Sequence, residues 1–212
     1  MRTLLRIIPI LLIAAIATDA EALRDQPRPN WFFGIGFGVG TGAFENKTFT
    51  GDDGTINETS YENGVSPHIR LGRMIGQHFS VGAYWESWLI EGGVASIPDV
   101  KFRRSLQNLA LGITWYPGSP ENATGGIFLR AGAGMGWTGT GAKDAVEGES
   151  QHKGERLDEW GKAVFGEAGY EFWVANDVTV GLAVTYNYFN IEADFVQTAQ
   201  FAAFVFHINR YF

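Results

Sequence analysis

The sequence predicts an all-β protein, a transmembrane antiparallel up-and-down β-barrel of about eight strands. Two observations carry this prediction. Bulky apolar residues alternate with small or polar residues over most of the chain, at the period of two that places side chains on opposite faces of a strand. Short and long connections also alternate between these segments, which is typical of membrane barrels. Beyond the N-terminus, no apolar stretch of the sequence is long enough for a transmembrane helix.

The composition narrows the class of protein. The 212 residues suit one barrel domain, and a hydrophobic content of 45% excludes a disordered chain. Cysteine is absent, which excludes a disulfide framework and thiolate metal sites. The net charge of −7, without a basic cluster, argues against nucleic acid as a partner.

The N-terminal segment predicts export. Two arginines precede an apolar run over residues 7–17, and a small-x-small cleavage motif follows at Ala20–Ala22. This is the pattern of a secretory signal peptide. A membrane anchor is the alternative, but the apolar run is too short to span a bilayer. We therefore expect residues 1–22 to be a signal peptide, cleaved after Ala22 or Ala20, and residues 23–212 to form the barrel domain.

Eight segments carry the alternation. In the first, Trp31, Phe33 and Ile35 share one face while Gly34 and Gly36 share the other. Most of the segments have about ten residues or more, enough to cross a hydrocarbon layer when tilted. The predicted strands cover residues 30–40, 64–73, 78–90, 102–116, 126–138, 160–173, 177–189 and 197–212.

The connections differ in length on the two sides of the predicted sheet. Tight or moderate turns are expected at 74–77, 117–125 and 174–176, and longer, more polar loops at 41–63, 91–101, 139–159 and 190–196. With eight strands, both termini lie on the short-turn side, which would be periplasmic.

The residue types on the two faces indicate which face points outward. The face opposite the bulky residues is mostly Gly, Ser, Ala, Thr and Asn, which suits a narrow lumen better than an exposed strand surface. The bulky face would then contact lipid, and the sheet must close because an open edge would leave unpaired backbone groups in hydrocarbon. Trp and Tyr favour both membrane interfaces. We expect such aromatic belts from Trp31, Trp115, Tyr170 and Trp173 near the short turns, and from Trp85, Trp137, Tyr186 and Tyr188 near the loops.

The C-terminus resembles a known family signal. Residues 204–212 read Phe-Val-Phe-His-Ile-Asn-Arg-Tyr-Phe, and segments 111–117 and 128–137 also look like the small OmpA-like or OmpW-like eight-stranded outer-membrane barrels. The resemblance implies localisation in the bacterial outer membrane, where Phe212 is an assembly signal for the barrel-assembly machinery. It further implies contact with outer-membrane lipid and lipopolysaccharide, and a monomeric barrel.

Three features depart from the family pattern. Arg210 falls on the presumed lipid face, where it could snorkel to the interface. The last strand has apolar residues on both faces, among them Phe201 and Val205. Pro67 interrupts the second strand, which predicts a bulge or a misplaced strand.

The inward face carries ionisable residues of both signs. Because a buried charge needs a partner, we expect these groups to neutralise one another in a packed polar lumen. Arg130 and Glu167 lie on neighbouring strands and could pair across the ladder. The alternative is a gate, in which such pairs exchange partners to open a narrow pore, as discussed for small OmpA-like barrels. The predicted cluster comprises His68, Arg70, Glu86, Arg130, Glu167, Glu171 and His207.

Three functions remain open at this point. The chain is expected to be a structural or interaction barrel with surface-exposed loops; a narrow pore for ions or small solutes is the alternative. A lipid-modifying enzyme would need a nucleophile, a base and an acid, for which Ser66, His68 and Glu86 are the nearest candidates, but Ser66 and His68 should face the lumen. No catalytic, cofactor or metal site is predicted. A soluble lipocalin-like binder would instead keep the mature chain in solution without detergent.

Overall fold

A computed structural model describes residues 30–46, 59–93, 101–118, 126–142, 157–191 and 196–212. In these residues the chain forms a closed barrel of eight antiparallel strands in sequence order. The predicted fold class is therefore confirmed. The predicted signal peptide, residues 1–22, lies outside the described residues. No helix in the described part of the chain is long and apolar enough to cross a membrane.

Five of the eight strands, β1, β2, β3, β5 and β6, are longer than the alternation predicted, mainly on the side of the long connections. β1 ends at Asn46 instead of residue 40, and β2 begins at Thr59 instead of residue 64. Backbone pairing continues there through Phe44 and Ser60, past the end of the apolar pattern. The alternation of apolar and small or polar residues marks only the part of each strand that lies in the apolar layer. Backbone pairing between strands continues beyond that layer. The strands are β1 Trp31–Asn46, β2 Thr59–Ile75, β3 Phe79–Gly93, β4 Lys101–Trp115, β5 Ile127–Ala142, β6 Leu157–Ala175, β7 Val178–Asn190 and β8 Val196–Tyr211.

The barrel closes where β8 pairs with β1. The Trp31 amide donates to the Phe212 carbonyl at 3.0 Å, and the Phe212 amide donates to the Trp31 carbonyl at 2.9 Å. The C-terminal residue thus completes the ladder on the short-turn side. A closed sheet has no free edge to pair with another chain.

The bulge predicted at Pro67 is absent, and β2 includes the whole of the predicted second strand. The register between β2 and β3 is the same on both sides of the proline, at Val65–Leu89 and at His68–Glu86. Proline has no amide hydrogen to donate. The hydroxyl of Ser66 donates instead to the carbonyl of Ser87, the residue opposite the proline, at 2.6 Å. A side chain thus replaces the missing backbone hydrogen bond and keeps the strand in register.

The two faces of the sheet differ as expected. Leu111 is 74% exposed on the outside and Ile35 is 53% exposed, whereas Ser66 and Val205 are fully buried inside. The apolar residues of β8 that departed from the pattern face the lumen. Arg210 lies outside, near the short turns, and pairs there with Asp177 at 3.1 Å.

Three apolar clusters fill the lumen. We call the side of the long connections the upper side and the side of the short turns the lower side. The lower cluster includes Trp173, which was predicted in the outer belt but shares the inward parity of Glu171. Its ring packs against the Tyr211 ring at an angle of 42°, with the centroids 5.1 Å apart. The upper cluster comprises Phe44, Trp88, Ile90, Leu106, Ala163, Phe189, Ile191, Ala199, Phe201, Ala203 and Val205; the lower cluster comprises Phe32, Met74, Tyr116, Phe128, Ala183, Tyr211 and Trp173; the middle cluster comprises Tyr84, Ala110 and Phe165.

A row of glycines explains how large rings fit into so narrow a lumen. Four glycines pair in register across β2, β3, β4 and β5, at Gly72, Gly82, Gly112 and Gly132. The ring of Phe165 lies where a Cβ at Gly132 would be. Because each glycine contributes no inward side chain, the rings pack directly on the backbone, which is the close approach that glycine permits.

Candidate functional site: the polar lumen

The seven ionisable residues predicted for the lumen all point inward, and each is at most 4% exposed. They lie between the upper and lower clusters and form three groups, each built around one carboxylate. The two-residue period of a strand is what brings them inside, because each shares the parity of its inward neighbours. The residues are His68 and Arg70 on β2, Glu86 on β3, Arg130 on β5, Glu167 and Glu171 on β6, and His207 on β8.

The first group joins one carboxylate to two guanidinium groups. Glu167 accepts from Arg130 at 2.9 Å and from Arg70 at 3.0 Å. The Arg130 pair crosses one ladder, as expected, whereas Arg70 reaches Glu167 from β2, on the opposite side of the barrel. Arg130 also donates through Nε to Thr114 at 2.8 Å, and its guanidinium lies 4.9 Å from the Tyr84 ring centroid. Every charge in this group has a partner of opposite sign.

The second group surrounds Glu86. Its Oε2 accepts from the amide of Asn187 on β7 at 2.6 Å, and Oε1 lies 3.7 Å from His68 Nδ1. Asn187 in turn accepts from Asn108 at 3.0 Å. Because β3 and β7 lie on opposite sides of the barrel, this group also spans the lumen.

The third group surrounds Glu171 near the lower cluster. The carboxylate accepts from Asn209 and from the hydroxyl of Tyr211, both at 3.1 Å. His207 Nε2 lies 3.4 Å from the same carboxylate, and the imidazole ring meets the Phe128 ring edge-on at 5.6 Å between centroids.

The candidate catalytic residues come together, but their hydrogen bonds do not suit catalysis. Ser66 Oγ is 2.9 Å from His68 Nε2, and His68 Nδ1 faces Glu86 at 3.7 Å, so the three follow the order nucleophile, base, acid. However, the single hydroxyl proton of Ser66 is donated to the Ser87 carbonyl. His68 Nε2 must therefore be the donor to Ser66, although a general base needs a free lone pair at that nitrogen. All three candidates are at most 1% exposed, so substrate has no access to them.

Apolar layers close the polar lumen above and below. In the upper cluster, the Trp88 and Phe201 rings stack at 12° with their centroids 6.4 Å apart. In the lower cluster, Phe32 packs against Tyr211 at 5.6 Å between centroids. Among the described residues, the side chains of both layers other than the partly buried Trp173 are at most 4% exposed.

The neutral hydrogen-bond partners of the lumen charges, and the amide next to one of them, were not predicted from the sequence. The residues concerned are Thr114, Asn108, Asn187, Thr185, Asn209 and Tyr211. Their inward parity was available as a signal, since polar residues at inward positions of a packed barrel must hydrogen-bond to one another. In the described part of the chain, no group of three or more His, Asp or Glu residues is arranged to hold a metal ion.

The comparisons with known proteins identify the fold. No protein-family model matches the chain, and no curated protein matches it. Among solved structures, Neisserial surface protein A superposes with a TM-score of 0.51 at 14% identity, covering 85% of this chain and 97% of that one. Ail of Yersinia pestis matches with a TM-score of 0.49 at 10% identity, covering 86% and 99%. OprG of Pseudomonas aeruginosa matches with a TM-score of 0.47 at 15% identity, covering 88% and 98%.

The assignment of the fold rests on the match to Neisserial surface protein A, together with the number of strands, their order and the closure of the barrel. The chain therefore has the fold of the small eight-stranded β-barrels of bacterial outer membranes.

Proposed function

We propose that the protein is an integral barrel of the bacterial outer membrane with a structural or interaction role, its long connections exposed at the cell surface. The observation that carries this proposal is the reversal of polarity between the two faces. Large apolar side chains cover the outside, whereas charged and amide side chains lie inside. A soluble protein would gain by burying these apolar groups, since each such side chain is worth about 1.5–3 kcal/mol when removed from water. Only a lipid surround makes the arrangement favourable.

The partners follow from this surround. The outer apolar face contacts membrane lipid and, on the surface-exposed side, lipopolysaccharide. Phe212 at the end of β8 serves as the signal that the barrel-assembly machinery reads before insertion. The closed ladder leaves no edge for a second chain, which supports a monomer. The net charge of −7 opposes binding to nucleic acid.

The alternative of a narrow pore has less support. Ion pairs that could exchange partners are present, but apolar clusters lie on both sides of them. Opening a path would require several rings to leave packed positions. We expect the barrel to be silent in planar bilayers; discrete conductance steps, absent in a Glu167→Gln variant, would instead establish a gated pore.

An enzymatic role is not part of the proposal. The hydroxyl proton of Ser66 is donated to the Ser87 carbonyl and not to His68, and both Ser66 and His68 are buried on the lumen face of the sheet. We expect lipid A profiles of cells with the wild-type protein and with His68→Ala to be the same. A lipid species that depends on His68 would overturn this part of the proposal.

Site-directed spin labels test the orientation directly. Cysteine variants at Ile35, Leu111 and Leu182 place the label on the outer face, and Ser80→Cys places it in the lumen. We expect the outer labels to be accessible to oxygen dissolved in lipid, and the inner label to be protected. Protection at the outer positions, or a mature chain that remains soluble without detergent, would refute a membrane barrel. Membrane fractionation and heat-dependent gel migration complete the test.

A further inference from the structure

A groove crosses the outer wall of the barrel on the outer side of the glycine row, which comprises Gly72, Gly82, Gly112 and Gly132. It has a volume of about 960 Å³ and runs over four strands, from β2 to β5. One wall is the outward row Arg73, Val81, Ile113 and Ala131, whose members pair in register; the other is the next outward row, which includes Leu111. The backbone of the glycine row forms the floor, so the groove is a depression in an otherwise bulky apolar surface.

The groove rises away from the lower rim. At its β2 end, Arg73 lies two residues before the end of the strand at the short turn. At its β5 end, Ala131 and Ala133 lie the fifth and seventh residues into the strand. Strands in barrels tilt by about 35–45°, so a row of paired residues runs diagonally across the wall. The β2 end of the groove therefore lies near the membrane–water interface on the lower side, and the β5 end lies deeper, at the level of the hydrocarbon layer.

A cation marks the interfacial end. The guanidinium of Arg73 lies 5.7 Å from the centroid of the Trp31 ring, and the described residues give it no acidic partner. Arg210, the other outward arginine near this rim, is neutralised by Asp177. Within the described part of the chain, Arg73 is thus a cation without an acidic partner, beside an aromatic ring of the kind that favours the membrane interface.

We propose that the groove holds an anionic phospholipid of the lower leaflet, with one acyl chain on the glycine floor and its net negative headgroup at Arg73. This proposal rests on the proposed function, because it requires the barrel to be in a membrane. Charge complementarity and the direction of the groove select this occupant: the cation lies near one end, and the side chains that line the rest of the groove are all apolar. A second copy of the chain fits less well, since Leu111, 74% exposed, rises from the wall and leaves a narrow channel instead of a flat face.

Electron paramagnetic resonance of spin-labelled lipids tests the proposal. Wild-type protein is folded into phosphatidylcholine vesicles that contain a trace of phosphatidylglycerol or phosphatidylcholine, each with a nitroxide near the end of one chain. The motionally restricted fraction of each lipid gives its relative association with the barrel. We expect an approximately fivefold preference for phosphatidylglycerol, the factor that one cation near a membrane surface contributes.

Three variants separate the site from general charge. Arg73→Gln should abolish the preference, whereas Arg210→Gln, which removes the same charge at the same rim, should retain it. Ala131→Phe projects outward and fills the groove without entering the lumen, so it should lower the restricted fraction of phosphatidylglycerol while the barrel remains folded.

The outcomes are distinguishable from failure of the proposed function. If neither lipid shows a restricted component, the chain is not a membrane barrel. If both do, but the preference is absent, survives Arg73→Gln, or is lost equally in Arg210→Gln, the groove is not a site for an anionic phospholipid. A dimer by native mass spectrometry that Ala131→Phe dissociates would assign the groove to a second copy and overturn the proposal, as would displacement of the restricted phosphatidylglycerol by lipid A alone.

Discussion

Replacing Glu167 by glutamine should lower the free energy of unfolding more than any other single loss of charge in the lumen. The substitution keeps the shape of the side chain and removes its charge. Arg70 and Arg130 then remain buried, at 3.0 and 2.9 Å from a neutral amide, with side chains that are 1% exposed. Breaking a buried ion pair by removing one partner costs about 3–5 kcal/mol. The glutamine oxygen can still accept one hydrogen bond, so we expect a loss near the lower limit, about 3 kcal/mol in the free energy of unfolding.

The exposed ion pair of the same protein is the matched control. Asp177→Asn removes one carboxylate from Arg210, but these side chains are 45% and 72% exposed. Exposed pairs are worth about 0–1 kcal/mol. Equilibrium unfolding by urea in lipid vesicles, followed by tryptophan fluorescence, gives both values on one scale.

Two results would show whether Glu167 is needed to keep both arginines in the lumen. A loss of less than about 1 kcal/mol for Glu167→Gln, no larger than that of Asp177→Asn, would refute the view that the carboxylate is needed to keep two cations in the lumen. Replacing the whole triad by Arg70→Met, Arg130→Met and Glu167→Leu should recover most of the lost stability, because a buried triad exchanged for apolar groups of similar volume is often neutral.

Two further predictions use the same unfolding measurement. Ser66→Ala should cost about 1–3 kcal/mol, because it leaves a buried carbonyl of β3 without a donor; Ser80→Ala, which removes a buried hydroxyl that has no partner in the described residues, should cost nothing measurable. Equal effects would show that the hydroxyl does not replace the missing backbone bond. Gly132→Val should cost about 1–3 kcal/mol by overpacking against Phe165, whereas Gly166→Ala, where a Cβ meets nothing within 4 Å, should leave stability unchanged. An unaffected Gly132→Val would mean that both the Phe165 ring and the neighbouring backbone carbonyl of Leu111 can move aside.

The sequence predicted what depends on the two-residue period. That period assigns each residue to one face, so the seven lumen residues, the outward position of Arg210 and the Arg130–Glu167 pair all followed from counting along strands. Parity also indicated that Trp173 faces inward, but its position near the interface suggested the belt instead. Local pattern therefore determined orientation more reliably than aromatic type did.

Contacts across the lumen could not be predicted in the same way. Arg70 meets Glu167 over the diameter of the barrel, and that contact depends on the relative stagger of strands separated by 97 residues. The pattern of apolar residues fixes the parity of each strand but not its stagger against the opposite wall. Pro67 was misjudged for a related reason: the donor that replaces its amide is a side chain, and side-chain replacement has no period to detect.

The two cross-lumen contacts also constrain the order of assembly. Arg70 lies on the second strand and its carboxylate on the sixth; Glu86 lies on the third and its amide partner on the seventh. A growing sheet of four or five strands therefore carries these charges uncovered, and they find their counterparts only when the last hairpins curl round to face the first. If an incomplete sheet entered hydrocarbon, these charged side chains would lie there without partners. The last strands must therefore pair before the first strands cross the bilayer, or at the same time.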